Sequence, residues 1–198
     1  HEVEQNIRLL RAYNSRRGVV LKTEFFLNSK ERLFARNYFK DSKILFGFHP
    51  GSGGGAKGMV LKRWAAEKFA LVASRLAKNY RARVIIFGGP GEEELGRRMA
   101  ELTEAETVDL TGKLPLKKTA ALIEQCALFV SNDSGLMHIA AALGVPVVAV
   151  FGPTLYWKNY PWGTKYKMVR REMDCTPCYD FKRINCRKPT CLEQIEPD

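Results

Sequence analysis

At 198 residues, with 45% hydrophobic and 27% charged side chains, the chain can bury one sizeable core, and no apolar run approaches the ~18 residues of a membrane span. A net charge of +11 with a pI near 9.6 suits an anionic ligand or surface, yet Lys and Arg are scattered among acids. No zinc-finger, homeodomain or aromatic RNA-binding signature accompanies them, which argues against nucleic acid.

The opening His1-Glu-Val-Glu-Gln lacks the basic-then-apolar pattern of a secretory signal, and without a methionine it reads as a piece of something longer. Ile7, Leu9, Leu10 and Tyr13 recur at helical spacing within residues 4–17, and Gly18 stops that helix. Val19 to Leu21 read as a short extended piece. Ser29 is placed to cap a second helix, Lys30 to Phe39, with Leu33, Phe34 and Tyr38 as its buried face. Together these make a helical lead-in over residues 1–43.

From Ile44 a beat of strand and helix sets in. Ile44 to Phe48 runs into His49-Pro-Gly-Ser-Gly-Gly-Gly55, then a helix from Trp64 to Leu76 with Phe69, Leu71, Val72 and Leu76 inward. Val84 to Phe87 ends in Gly88-Gly-Pro-Gly91 before a helix from Glu92 to Leu102. Val108 to Leu110 ends in Thr111-Gly112 before a helix from Leu116 to Cys126. Leu128 to Val130 gives way to Ser131-Asn-Asp-Ser-Gly135 and a helix that Gly144 and Pro146 stop; Val147 to Phe151 and Lys167 to Arg170 are the last strands. About six strands alternating with helices predict a doubly wound, Rossmann-like parallel α/β sheet over residues 44–172, followed by a cysteine-containing tail, 173–198.

Ligands of such sheets sit at the carboxyl edge, and glycines in the exit turns let a ligand approach the backbone. The turn before the fourth helix offers the N–H groups of Ser134, Gly135 and Leu136 to an anion such as phosphate. Helix capping by Asp133 or Ser134 explains part of this turn but has no use for His138, one helical turn on. His138 faces the same crevice or is a packed core histidine. The Gly51–Gly55 loop matches neither Walker A nor GxGxxG, so phosphate contact and a plain connector both stay open.

The run Asn132-Asp-Ser-Gly-Leu-Met-His-Ile-Ala-Ala-Ala-Leu-Gly-Val-Pro-Val-Val-Ala-Val-Phe-Gly-Pro-Thr154 closely resembles the signature of the bacterial ADP-heptose:lipopolysaccharide heptosyltransferases, glycosyltransferase family 9. His49-Pro-Gly-Ser52, Lys62-Arg-Trp64 and Asp109-Leu-Thr-Gly112 fit the same family in the same order, so the likeness runs from about Phe46 to Leu192. The resemblance implies a GT-B fold of two Rossmann-like domains, this chain being the carboxyl-terminal, donor-binding half. It implies transfer of heptose from ADP-heptose to the lipid-linked inner core of lipopolysaccharide, with inversion, in the cytoplasm and in peripheral contact with the inner membrane. The family's general base is an aspartate of the amino-terminal domain, its expected partner, so no catalytic residue is assigned here. A nucleotide-sugar-binding module without transferase chemistry, and a GT-B enzyme using another nucleotide sugar, are the alternatives.

On that resemblance the site residues follow from charge. ADP leaving an anomeric carbon gathers negative charge on its diphosphate, and the chain has no Asp-x-Asp pair of the metal-dependent kind, so neither a metal nor a cofactor is expected. Lys62 is the candidate phosphate cation, slightly misplaced for a lysine in a first helical turn, with Ser52 and Gly53 near the same group. Glu92 aligns with the acid that holds the ribose hydroxyls, with the register open by one because Glu93 and Glu94 follow. Asp133 is assigned to sugar hydroxyls, His138 to orienting the turn or contacting donor, and Gly112, with Thr111 and Lys113, to the border of the adenine.

Cys126 reads as an inert core thiol. Cys175, Cys178, Cys186 and Cys191 are spaced for a four-thiolate zinc site or for disulfides, and the Cys-Thr-Pro-Cys run leans towards the member of the family that adds the second heptose. Trp157, Tyr160, Pro161 and Trp162 are expected to cover the open edge of the sheet; lining a sugar pocket or meeting the acceptor is the other reading.

Overall fold

A computed structural model of the chain describes residues 1–13, 22–41, 43–53, 59–178, 186 and 188–197. Two helices, α1 (Glu2–Tyr13) and α2 (Ser29–Tyr38), precede β1 (Leu45–His49). A 3-10 turn (Met59–Lys62) leads to α3 (Ala66–Tyr80), and then β2 (Arg83–Ile86), α4 (Glu93–Leu102), β3 (Thr107–Asp109), α5 (Leu116–Ile123) and β4 (Leu128–Asn132) alternate. The chain continues through α6 (Gly135–Ala142), β5 (Val147–Phe151), α7 (Tyr156–Asn159), β6 (Tyr166–Arg170) and α8 (Thr190–Glu193). All the strand pairs are parallel, in the order β3-β2-β1-β4-β5-β6. The order reverses between β1 and β4, where Phe46 faces Leu128 and His49 faces Ser131, and that switch point opens a crevice at the carboxyl edge.

Strict alternation along the strands builds a core on each face. Phe46, Phe48, Val84, Ile86 and Val130 meet α3 and Met99 of α4; Leu45, Ile85, Phe129, Ala149 and Phe151 meet α5 and α6. Gly47 is required at the centre, because a Cβ there would stand 2.7 Å from the Phe129 ring.

Several local expectations are corrected. The cap of α2 is Asn28, not Ser29: its Oδ1 accepts from the N–H of Lys30 and Glu31 while Glu31 accepts from the N–H of Asn28, a closed capping box. Helix α2 packs on α5 with Ala35 as its buried residue, whereas Leu33 and Tyr38 are exposed and Phe34 is half-buried beneath the Lys118 ammonium. Helix α3 turns Ala66, Phe69, Ala70, Ala73 and Ala77 inward and leaves Leu71 exposed, since small residues let the helix axis close onto the strands. Val19 to Leu21, the 14–17 end of the first helix, the side chains of Leu10 and Tyr13, and Gly54 and Gly55 lie outside the described residues.

The last residues fold back into the core. Cys191, Leu192 and Ile195 are buried, Trp64 Nε1 donates to the Ile195 carbonyl at 3.0 Å, and Lys68 Nζ donates to the Glu193 and Ile195 carbonyls at 2.6 and 2.7 Å. A Cβ on Gly152 would lie 2.6 Å from Leu192 Cγ. Gly152→Ala is therefore expected to displace α8 and cost about 1–3 kcal/mol of stability, readable as a lower urea midpoint.

Candidate functional site

Among the described residues, every buried polar or charged side chain except Thr103 and Thr119 lies at the carboxyl ends of the strands: His49, Ser52, Glu92, Thr111, Ser131, Asn132, Asp133, Ser134 and Thr154. Buried polar groups are costly unless paired, so their concentration along one edge marks a built site.

His49 ends β1 and joins two exit turns. Its Nδ1 is 3.0 Å from Ser134 Oγ, and its Nε2 is 3.0 Å from Glu92 Oε2. Ser134 Oγ also lies 2.9 Å from Ser131 Oγ and accepts from the Met137 N–H, capping α6. The Glu92 carboxylate is 2% exposed. It accepts from the N–H groups of Ser52 (3.0 Å), Gly53 (3.1 Å) and Gly89 (3.0 Å), with the Arg63 guanidinium 3.4 Å away. Burial pushes its pKa up, but the hydrogen bond and charge of His49, with the N–H groups of Gly89 and Gly53, outweigh it and hold the group down at about 2. Gly51 sits against this carboxylate, where a Cβ would be 2.1 Å from Oε1.

Lys62 closes the 3-10 turn, and its Nζ lies 2.9 Å from Asp133 Oδ2. Both side chains are nearly buried, and the contact is an ion pair off the direction of a hydrogen bond. Asn132 holds this pair in place. Its Oδ1 accepts from the Trp64 N–H at 2.9 Å, and its Nδ2 donates to the carbonyls of Pro50 (2.8 Å) and Gly51 (3.2 Å), tying both loops to the end of β4. Beside it, Gly135 and Leu136 begin α6 with the N–H groups that a helix leaves without an internal partner; a Cβ on Gly135 would meet open space.

The structure thus brings Ser52, Gly53, Glu92 and Ser134 together through His49, and sets Lys62 on Asp133 beside Gly135 and Leu136. Two further placements matter for the site. Glu92 is turned under the Ser52–Gly53 loop, its oxygens engaged by internal donors. Exposed Glu93 accepts from the Gly91 N–H at 2.8 Å and stands against Gly112, where a Cβ would be 2.5 Å from Glu93 Oε1. His138 is neither a packed core residue nor part of the His49 network. It lines a cleft of about 340 Å³ with Ile139, Val3, Phe25 and Trp162. Its ring is exposed at the cleft mouth, but crowding by the walls pushes its pKa below the ordinary value; Asp133 and Glu2 oppose the shift and Lys62 adds to it.

Gly112 has a left-handed φ of 70° and its N–H donates to the Gly88 carbonyl, which brings the exits of β2 and β3 together. Lys113 Nζ turns back to the Asp109 carbonyl at 2.7 Å. All five cysteines are free thiols, Cys126 and Cys191 buried, and among the described residues no group of three or more His, Cys, Asp or Glu is arranged to hold a metal. Of the residues expected to cover the sheet's edge, Tyr160 stacks on Tyr166 of β6 with ring centroids 5.4 Å apart and Pro161 is buried, whereas Trp157 is 46% exposed.

The family model of glycosyltransferase family 9 (heptosyltransferase) matches residues 1–188. The chain belongs to glycosyltransferase family 9. Among curated members of the family, lipooligosaccharide heptosyltransferase 2 of Campylobacter jejuni is 32% identical over 183 residues, covering 90% of this chain and 54% of that one. Lipopolysaccharide heptosyltransferase 2 of Salmonella typhimurium is 35% identical over 163 residues, covering 76% and 45%. The chain thus spans about half the length of these relatives. Among solved structures, Escherichia coli ADP-heptose lps heptosyltransferase II superposes with a TM-score of 0.69 at 29% identity, covering 88% of this chain and 50% of that one. The family 9 glycosyltransferase of Veillonella parvula gives a TM-score of 0.72 at 28% identity, covering 82% and 47%.

Within this family 9 fold, His49, Arg63 and Asn132 are the residues that sequence reasoning left out of the site. A signal was there: each lies inside one of the blocks that carried the resemblance, His49 three positions before Ser52, Arg63 next to Lys62 and Asn132 next to Asp133. What a motif does not say is which member faces the ligand and which braces it.

Proposed function

We propose that this chain is the donor-binding half of a heptosyltransferase, carrying ADP-heptose for transfer of heptose to the lipopolysaccharide inner core. The relatives' names support the reaction, and the E. coli heptosyltransferase WaaC solved with ADP, 25% identical with a TM-score of 0.60 over 85% of this chain and 50% of that one, supports the nucleotide. The observation that carries the reading is Lys62 on Asp133 beside the open start of α6, at the point where the strand order reverses.

In this reading the diphosphate displaces the Asp133 carboxylate from Lys62. The lysine and the N–H groups of Gly135 and Leu136 then stabilise the charge that gathers on ADP as the glycosidic bond to phosphate breaks. Asp133, released, accepts hydroxyls of the sugar. Glu93, at the exits of β2 and β3 beside Gly112, takes the ribose, which leaves Glu92 to brace the Ser52–Gly53 loop and Ser134 to cap α6. His138, within the field of Asp133 and Lys62, faces the cleft on the sugar's side. The general base comes from an amino-terminal partner domain, and the acceptor arrives from the cytoplasmic face of the inner membrane; no helix of the described residues is long and apolar enough to cross one.

Titration calorimetry with ADP, UDP and GDP is expected to show an ADP preference, and equal or absent binding overturns the proposal. Mixing with a purified amino-terminal domain and assaying heptose transfer separates a transferase from a binding module. Because Asp133 competes with the diphosphate for Lys62, Asp133→Asn is expected to tighten ADP by roughly 1 kcal/mol while losing the extra affinity of ADP-heptose over ADP. A variant that weakens both ligands equally contradicts that exchange.

A further inference from the structure

His49 is buried at the switch point of the sheet, and both of its ring nitrogens are engaged. We propose that it is a standing imidazolium, protonated at Nδ1 and at Nε2, and the residue that positions the start of α6 for an anion. Its protonation follows from hydrogen bonds inside the chain; only the identity of the anion rests on the donor-binding reading.

The hydrogens are counted outwards from the one acceptor that is fixed. A backbone carbonyl carries lone pairs and no proton, so the 2.8 Å contact between Ser131 Oγ and the Asn132 carbonyl uses the Ser131 hydrogen. A hydroxyl has one hydrogen, so Ser131 accepts, at 2.9 Å, from Ser134 Oγ. The Ser134 hydrogen is then spent as well, while its lone pairs face the Met137 N–H and, at 3.0 Å, His49 Nδ1. Nδ1 therefore donates. On the other side Nε2 stands 3.0 Å from Glu92 Oε2, and that carboxylate, held ionised and accepting three backbone N–H groups, has no proton to give. Nε2 donates too. Either neutral tautomer breaks the chain. A bare Nδ1 turns Ser134 and Ser131 round and leaves two oxygens 2.8 Å apart with no hydrogen between them; a bare Nε2 sets its lone pair against a carboxylate.

The second proton changes what the crevice offers. His49, Lys62 and Arg63 stand in ion pairs with only two carboxylates, Glu92 and Asp133, and all five side chains are less than one-fifth exposed. With a neutral imidazole these charges would cancel. With the imidazolium the set holds one positive charge in excess, beside the N–H groups at the start of α6 that have no partner within the helix. Ser134 passes the geometry on: the Oγ that His49 and Ser131 hold in place is the one that caps α6 through Met137. An anion suits that surplus, and on the donor-binding reading the anion is the diphosphate.

The test is nitrogen-15 NMR of this chain, free and with ADP, at about pH 7. Both ring N–H protons of His49 are expected to be visible in water, since the residue is 2% exposed and each proton is bonded. His49→Asn should remove them, which identifies them among three histidines. They should shift on adding ADP and stay in place on adding adenosine, which lacks the phosphates. His49→Asn keeps a donor towards Ser134 and His49→Gln a donor towards Glu92, but neither carries the charge, so both are expected to lose at least about tenfold in ADP affinity. A His49 nitrogen with a bare lone pair, measured on the parent chain alone, overturns the proposal. Unchanged ADP affinity in either variant, or N–H signals that move with adenosine, overturns the positioning role. Both N–H signals present in a parent chain that does not bind ADP overturns the donor reading instead and leaves the imidazolium standing.

Discussion

Lys62→Ala is expected to weaken ADP binding by roughly 3 kcal/mol, more than a hundredfold, in titration calorimetry. Two effects add. The variant removes the cation proposed to meet the diphosphate, and it uncovers the Asp133 carboxylate 2.9 Å from where that cation stood, nearly buried. A buried carboxylate stripped of its partner also costs stability, on the order of 3 kcal/mol, so the urea midpoint should fall as well. Lys62→Ala with Asp133→Asn separates the two: removing the uncompensated charge should restore much of the stability and part of the ADP affinity. Unchanged ADP affinity in Lys62→Ala removes the lysine from the site.

Acid should dismantle the edge of the sheet through Glu92. Its pKa is held down at about 2, against an ordinary value of 4.5, so as pH falls the unfolded chain takes up the proton first. The stabilisation is complete above about pH 4.5 and disappears as pH falls from there towards 2, about 3 kcal/mol in all. Urea midpoints measured across that window should decline steeply in the parent protein. Glu92→Gln, already lacking the charge, should show a flatter decline in the same window and weaker ADP binding at neutral pH, because the Ser52–Gly53 loop loses the carboxylate its N–H groups point to. A parallel decline in both proteins assigns the acid sensitivity elsewhere.

The sheet was legible because buried parallel strands are short apolar runs that stop at or near glycine, and β1, β2, β4 and β5 are such runs. Element boundaries moved by a few residues, most tellingly at β4, whose hydrogen bonding continues through Ser131 and Asn132. The inner face of α3 was misread at Leu71 because hydrophobicity favours leucine, whereas close packing against strands favoured the alanine stripe. In the site, the turns were legible and the directions of the side chains were not. A sequence shows that Glu92 follows a strand; only the fold shows that the nearby N–H groups of Ser52, Gly53 and Gly89 draw its carboxylate inward and leave Glu93 outside. Asn132 was invisible as a brace because its three partners lie about 70 to 80 positions away in sequence.

The contact between Trp64 and Ile195 bears on how this chain can be recombined with its relatives. A chimaera that exchanges only the final turn would splice a foreign backbone carbonyl against the indole two residues beyond Lys62, and the mismatch would register at the Lys62–Asp133 pair, far along the chain from the junction. Swaps that respect the architecture must move both ends as a set.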